Sequence, residues 1–432
     1  MADRDRTVYR HKGQKKTVIK TVMGEVEYQR AIYERKNEDG TKSFVYLLDE
    51  ALGISGIGFM SGLLSAQIAE AACAGTYRRT AQSVSEMTGQ TISHTAAWNV
   101  VQKLGNRIDE QEQVSAKLAA VNKGIGKLES KVLFEEQDGI WLHLQGKSRE
   151  EYGRAKEMKV AIAYDGSEKI GESRYKLTNK VAAANFESIN EFVRRKEGKI
   201  AETYCVDEVE TRILNGDGAS WIKKSLTDET VIFQLDTFHR NKAIRENVSD
   251  PVMAKEIFRL LYSKKTEELL VYIEALSNSV EDEKKRERLT TLHTYFTANK
   301  DGLIGWQRRG LDLPKPPEGK KYRRLGTMES NIFTIIGNRM KDGRAYWSVN
   351  GGNNLARLLT LKHTSKLSDT LNQLTNCFLP QKYAEEVIVK MSASRAPKQD
   401  GRGFEPVRAG AVPATPGYKF LRGIGKIKNT LS

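Results

Sequence analysis

Apolar and polar residues alternate with a period of two from Thr17 to about Leu48. Val26, Tyr28 and Ile32 fall on one side, and Glu25, Glu27 and Gln29 on the other, as in a half-exposed strand. Asp39-Gly40 reads as a hairpin turn into Phe44-Val45-Tyr46-Leu47-Leu48. The sixteen residues before this segment are polar and basic and predict a frayed start. From about residue 60 to 125 the period becomes helical. Within it, residues 76–105 have the order of a helix-turn-helix: a helix over 78–88, a turn at Gly89, and a second helix from His94 to about Leu104 capped by Ser93. Ala81, Val84, Ile92, Ala97, Val100 and Val101 make its buried seam. His94, Thr95, Asn99, Gln102 and Lys103 make its outer face. That face is either a reader of a DNA major groove or the polar side of an ordinary helical bundle.

From Ser130 the pattern is α/β. Strands are predicted at 132–135, 140–144, 159–164, 175–182, 209–214 and 231–235, with a helix at 189–195. Residues 240–321 are helical and highly charged and end on Leu313-Pro314-Lys315-Pro316-Pro317, a stiff linker. Another helix starts near Thr327. After about residue 393 the chain is rich in Gly, Pro, Lys and Arg, which predicts a disordered tail or one that folds on a partner. The expected architecture is α/β and multidomain: a basic segment with a β-hairpin module (1–58), a helix-turn-helix domain (59–128), an α/β core in two parts (129–239 and 322–392) around a helical insertion (240–321), and the tail (393–432).

Composition narrows the partners. The 432 residues carry a formal net charge of +15, and an excess of Lys and Arg favours a polyanion, since neutralising phosphates drives non-specific nucleic-acid binding. No run of about 18 apolar residues is present, so no membrane helix is expected. The first residues lack an apolar signal core. Cys73, Cys205 and Cys377 are far apart, without zinc-ligand spacing, and read as free thiols of a reducing cytoplasm.

Three acidic residues stand out by context. Asp138 lies in Asp138-Gly139-Ile140-Trp141. Asp217 lies in Gly216-Asp217-Gly218-Ala219, just past an apolar strand. Glu329 lies in Thr327-Met328-Glu329-Ser330-Asn331, at a helix start. Two strand-end aspartates and a helix-borne glutamate can converge at a sheet edge, and flanking glycines let backbone turn and phosphate approach. Magnesium takes one or two protein carboxylates plus substrate phosphate. A pair of such ions about 3.5–4 Å apart activates an attacking oxygen and stabilises a leaving one. Singly, each residue has a plainer reading as an Asp-Gly turn or an acidic helix start.

The segments 17–28, 46–54, 136–145, 216–222, 235–239 and 326–347 together resemble bacterial ISLre-type insertion-sequence transposases, relatives of the Mutator-like DDE transposases. The most specific part is Thr327-Met328-Glu329-Ser330-Asn331 with Arg339-Met340-Lys341 and Trp347-Ser348. The resemblance implies a ribonuclease-H-like catalytic domain interrupted by helices. Asp138, Asp217 and Glu329 would be its catalytic carboxylates, holding two Mg²⁺ or Mn²⁺ ions. It implies a bacterial, nucleoid-associated enzyme that assembles as a homo-oligomer on DNA. Such an enzyme binds its element's terminal inverted repeats, cleaves 3′ ends and joins them to target DNA. Asp236-Thr237-Phe238-His239 matches the x-x-His pair of the relatives, so Asp236 and His239 would support the site; a rival assignment makes Asp236 the second ligand. On an ideal helix Arg339 and Lys341 fall about 80° and 120° from Glu329, which makes them candidates for DNA phosphate contact or a solvated face. Trp306 reads as core or as a platform for an unpaired base near a cleaved end, and Trp347 as core. The competing functions are a nuclease of the same fold that never joins strands and a non-catalytic DNA-binding derivative.

Overall fold

The structure is a computed structural model that describes residues 5–37, 39–51, 60–226 and 230–375; the expected tail at 393–432, and Cys377, lie outside the described residues. At the N-terminal end, β1 (Tyr9–Thr21), β2 (Gly24–Lys36) and β3 (Lys42–Val45) form an antiparallel sheet in that order. The expectation of a frayed start is corrected here. Residues from Tyr9 on are paired in register with β2. Cross-strand ion pairs, Lys12–Glu34 at 2.9 Å and Lys16–Glu27 at 2.7 Å, join the polar side chains that masked the strand. The turn at Asp39-Gly40 is present, with Thr41 N donating to Asp39 Oδ1 at 2.9 Å. The strand expected to reach Leu48 stops at Val45, and α1 (Leu47–Ala51) follows. Its Asp49 pairs with the buried Arg30 of β2, so burial on β2 centres on Arg30 and Tyr33, while Val26 is exposed.

Helices α2 (Gly62–Ala72), α3 (Tyr77–Thr88) and α4 (His94–Ala119) come next. Thr76 caps α3, Gly89 ends it in the left-handed region at φ 67°, and the Ser93 hydroxyl accepts from Ala96 N at the start of α4. All six residues of the expected seam are buried. The second helix is longer than its polar pattern indicates, because Ile108, Glu112 and Ala116 continue the buried stripe.

The central sheet is built from β4 (Val132–His143), β5 (Ala155–Tyr164), β8 (Val181–Asn185), β9 (Thr211–Gly216) and β10 (Val231–Leu235), in the order β10-β9-β4-β5-β8. Strands β10, β9 and β4 are parallel; β5 and β8 run antiparallel to their neighbours. Between them lie α5 (Gly146–Tyr152), β6 (Ser167–Lys169), β7 (Tyr175–Leu177), α6 (Ile189–Thr203) and α7 (Ser220–Lys223). The two strands expected around Asp138 are one continuous strand, and Asp138 pairs with Val160 in its interior instead of ending it. Helices α8 (Thr237–Asn247), α9 (Pro251–Tyr262), α10 (Thr266–Ser279) and α11 (Glu283–Ala298) follow β10 and close around their own apolar core, which includes Leu260, Ile273, Leu292 and Phe296. A short β11 (Lys320–Lys321) pairs with β6. The chain then enters α12 (Met328–Ile332), a π-helical turn at Phe333–Gly337, α13 (Asn338–Met340), α14 (Val349–His363) and α15 (Leu367–Thr375).

One hydrophobic core joins α2–α4 to the sheet and to α12–α15: Leu64, Val100, Phe134, Ile335 and Leu358 all belong to it. The alternation of β4 places the candidate chemistry. Val132, Phe134, Ile140 and Leu142 face this core, and Glu136 and Asp138 share their parity and so their face. The other face meets α6, where Glu135 is buried against Lys196 at 2.6 Å and Arg212. Among the described residues no helix is long and apolar enough to cross a membrane.

Candidate active site

The acidic residues named above come from separate elements that the sheet and core bring together. In the β4–β9 ladder Gln137 pairs with Gly216, the last pair, so Asp138 within β4 lies beside Asp217, which follows the end of β9. α12, which carries Glu329, packs on β4. Asp138 is half-buried, and Gly139 N donates to its Oδ1 at 2.7 Å. Burial pushes its carboxyl up to about 6; the nearby Asp217 and Glu329 charges push the same way, while the Gly139 hydrogen bond and His239 oppose. Glu329 is exposed on its helix and Asp217 is half-buried. Among the described residues no three His, Cys, Asp or Glu side chains stand in ligand geometry around one point.

Asp236 and His239 form a second layer. Asp236 ends β10 and caps α8: its Oδ1 accepts from Phe238 N at 2.9 Å and His239 N at 3.1 Å, and its Oδ2 accepts from Asn215 Nδ2 at 2.8 Å. His239 Nδ1 lies 3.2 Å from the same Oδ1, and its Nε2 lies 4.0 Å from Asp138 Oδ2. The Asp236 hydrogen bond raises the imidazole pKa, assisted by Asp138 and opposed by burial. The Asp236 carboxylate is thus committed to the backbone, Asn215 and His239, whereas Asp217 accepts from Ala219 N at 2.8 Å.

Several contributors carry no sequence signal. Glu136 is fully buried and accepts from Tyr164 Oη at 2.7 Å, Gly326 N and Thr327 N at 2.8 Å each, Thr327 Oγ1 at 2.7 Å and Asn215 Nδ2 at 3.3 Å. It fixes the turn that opens α12 to the strand bearing Asp138. Tyr295 Oη donates to the Asp217 carbonyl at 2.6 Å, which ties α11 to the site. Glu157 of β5 is raised by burial and by Asp217, so a further carboxylate borders the cluster. The glycines beside the aspartates are packed instead of leaving room. A side chain at Gly139 would strike Glu157, one at Gly216 would strike Ile222, and one at Gly218 would strike Asn299.

The residues expected to meet DNA divide. His94, Thr95, Asn99 and Lys103 are exposed on α4. Gln102 is not free: its Oε1 accepts from Asn354 Nδ2 at 2.9 Å, joining α4 to α14. Lys341 is exposed. Arg339 turns inward, donating from Nε to the Ala72 carbonyl at 2.8 Å, with its guanidinium beside the Tyr77 and Trp347 rings. The ideal helical wheel misplaces it because the π turn at 333–337 has more residues per turn than an α-helix and so turns less between Glu329 and Arg339. Trp306 is buried against Phe134, and Trp347 is buried with Nε1 donating to the Met340 carbonyl; both are core.

The model of a family described as "Uncharacterised protein family (UPF0236)" matches residues 1–370. A UPF0236 protein of Streptococcus gallolyticus, named for the vanSb 3′ region, is 25% identical over 346 residues, covering 78% of this chain and 71% of its own. A UPF0236 protein of Caldanaerobacter subterraneus subsp. tengcongensis, whose name joins four numbered designations, is 25% identical over 292 residues. There the match covers 66% of this chain and 56% of the relative, so the chain spans little more than half of that protein. Among solved structures, the Drosophila P element transposase strand transfer complex is similar at 12% identity and a TM-score of 0.23, over 77% of this chain and 87% of that one.

Proposed function

The chain belongs to the UPF0236 family, and from that premise and its acidic site we propose that it is a DDE-type DNA transposase on a ribonuclease-H-like core. The carrying observation is the pairing of Gln137 with Gly216, which sets Asp138 of β4 beside Asp217 just past the end of β9, with the Glu329 helix packed on β4. The five-stranded mixed sheet, with the first aspartate on its central strand, supports the fold reading. A relative bearing four designations in one strain fits a sequence carried in several copies.

The donor chemistry of these carboxylates suits a divalent metal, while the side chains as they stand among the described residues do not converge on one point. The Asp217 and Glu329 charges reach Asp138, and Asp217 is half-buried and Glu329 exposed; a cation would relieve that repulsion, and hard oxygen ligands suit Mg²⁺ or Mn²⁺. Asp138, Asp217 and Glu329 would hold two ions, which when bound supply an activated attacking oxygen and stabilise a leaving one at phosphorus. The chain's own part is positioning. Glu136 holds the α12 turn against β4. Asp236 orients His239 towards Asp138. Both 3′ cleavage and joining are in-line displacements, so no covalent protein intermediate is needed, and the exposed polar face of α4 is available to read the element end.

The test is incubation with DNA flanking its own coding sequence plus Mg²⁺, with products mapped on a denaturing gel. Cleaved 3′ ends and joined products support the transposase. Cleavage without joining selects the nuclease reading, and binding without cleavage selects the non-catalytic one.

A further inference from the structure

Next to the acidic site, but distinct from it, a cleft of about 570 Å³ runs between the β6–β7 sheet, the loop before α12 and the end of α14. It borders α12 at Ser330 and Asn331, the two residues after Glu329. Its walls carry Lys180, Arg323, Arg324, His363 and Lys366; among the described residues its single acidic lining residue, Glu168, lies 3.9 Å from Lys176. Lys180, His363 and Lys366 are all half-buried. Neither lysine has a carboxylate partner within 4.0 Å among the described residues. Lys180 Nζ donates to Asn331 Oδ1 at 3.1 Å and Lys366 Nζ to Thr203 Oγ1 at 2.7 Å. Each ammonium therefore spends one donor on a neutral oxygen and has others to offer. The Arg323 guanidinium lies 3.9 Å from the Tyr175 ring centroid, held over its face.

Half-buried cations without a carboxylate in contact are costly to the free protein: burial lowers the pKa of all three half-buried groups, with Lys180 lowering that of His363 as well and Glu202 partly offsetting the effect at Lys366. Polyanion binding would repay that cost. We propose that this cleft holds the phosphodiester backbone of a DNA strand running from the acidic site, with its phosphates among Lys180, Arg323, Arg324 and Lys366. A strand is favoured over a lone phosphate because the cations are spread over three segments of chain and the cleft continues from the helix that carries Glu329. This inference rests on the transposase reading and adds the path of the strand to it.

The experiment is fluorescence anisotropy of a labelled single-stranded oligonucleotide and of the matching duplex over a KCl series. It uses the full chain, a Lys180→Gln/Lys366→Gln double variant, an Arg323→Gln/Arg324→Gln double variant, and Lys117→Gln on the exposed end of α4 as a charge control. Each lost phosphate contact is expected to flatten the slope of log affinity against log salt by about 0.7 on the single strand, so both double variants bind more weakly and with shallower slopes than the control. The arginine pair guards against a folding defect in the lysine pair, and circular dichroism checks both. Slopes and affinities equal to the control in both variants overturn the cleft assignment, even where the unchanged chain binds and cleaves DNA. An unchanged chain that binds no DNA overturns the transposase reading as well.

Discussion

Asp217 and Asp236 both follow apolar strands, and their hydrogen bonding separates them. Asp236 is buried, caps α8 and bonds Asn215 and His239; Asp217 is half-buried with Tyr295 on its carbonyl. Asp217→Asn is expected to abolish cleavage and joining while DNA binding is kept or tightened, because a negative charge facing phosphate is removed. Asp236→Asn keeps a capping oxygen but weakens the hold on His239. A residue that tunes a site through its neighbour costs about 10–100-fold, so a measurable residual rate is expected at saturating Mg²⁺ on pre-nicked and intact ends. A dead Asp236→Asn beside an active Asp217→Asn would redraw the triad as Asp138, Asp236 and Glu329. At this scale sequence pattern singles out acidic residues next to glycines and strand ends. It is blind to Glu136, which looks like one more charge in Glu135-Glu136-Gln137 until the fold buries it beneath the Thr327 turn.

Among the elements, α3, its turn and the start of α4 are legible because capping and turn chemistry are local: Gly89 and Ser93 announce themselves. The strand β1 is not, since its apolar content is low and its stability comes from pairing with β2. The π turn after α12 is equally hidden, and with it the inward course of Arg339. The faces of α4 yield a division of roles. Asn99→Ala and Lys103→Ala alter exposed side chains and are expected to lower the preference for the element end over random DNA, by about 1–3 kcal/mol where a good bidentate base contact is lost. Gln102→Ala removes the bond to Asn354 and is expected instead to lower thermal stability by about 1 kcal/mol with the preference unchanged. Competition binding and thermal melts on the three variants separate these outcomes, and a preference that ignores both Asn99 and Lys103 assigns α4 to the bundle alone.

In the whole molecule, the helical layers are tied to the sheet by buried ion networks that sequence gives no means to pair. Arg195 and Arg357 reach Asp109, Glu112 and Glu187 across α4, α6 and α14, and Lys196 and Arg212 clasp Glu135 and Glu197. Lys196 and Arg212 hold the Glu197 carboxyl down to about 2 against the effect of burial, and Lys199 and Arg357 lower that of Glu112. A carboxylate depressed in the folded state contributes stability that is present above its unfolded value and lost as pH falls through the folded one. Melting temperature is therefore expected to drop as pH falls from about 4.5 towards 2. Glu197→Gln should flatten that drop while lowering stability at neutral pH; an unaltered acid profile would remove Glu197 from the account.

The order β10-β9-β4-β5-β8 is what brings Asp138 beside Asp217, and the central consequence of the proposed function is metal-dependent chemistry at Asp138, Asp217 and Glu329. The most direct test is cleavage of the flanking-end DNA in Mg²⁺, in excess chelator, and by Asp138→Asn, Asp217→Asn and Glu329→Gln, each first shown to fold and to bind DNA. The account predicts 3′-end cleavage in Mg²⁺ that disappears with chelator and with each substitution. Robust cleavage in excess chelator, or by all three variants, would contradict it.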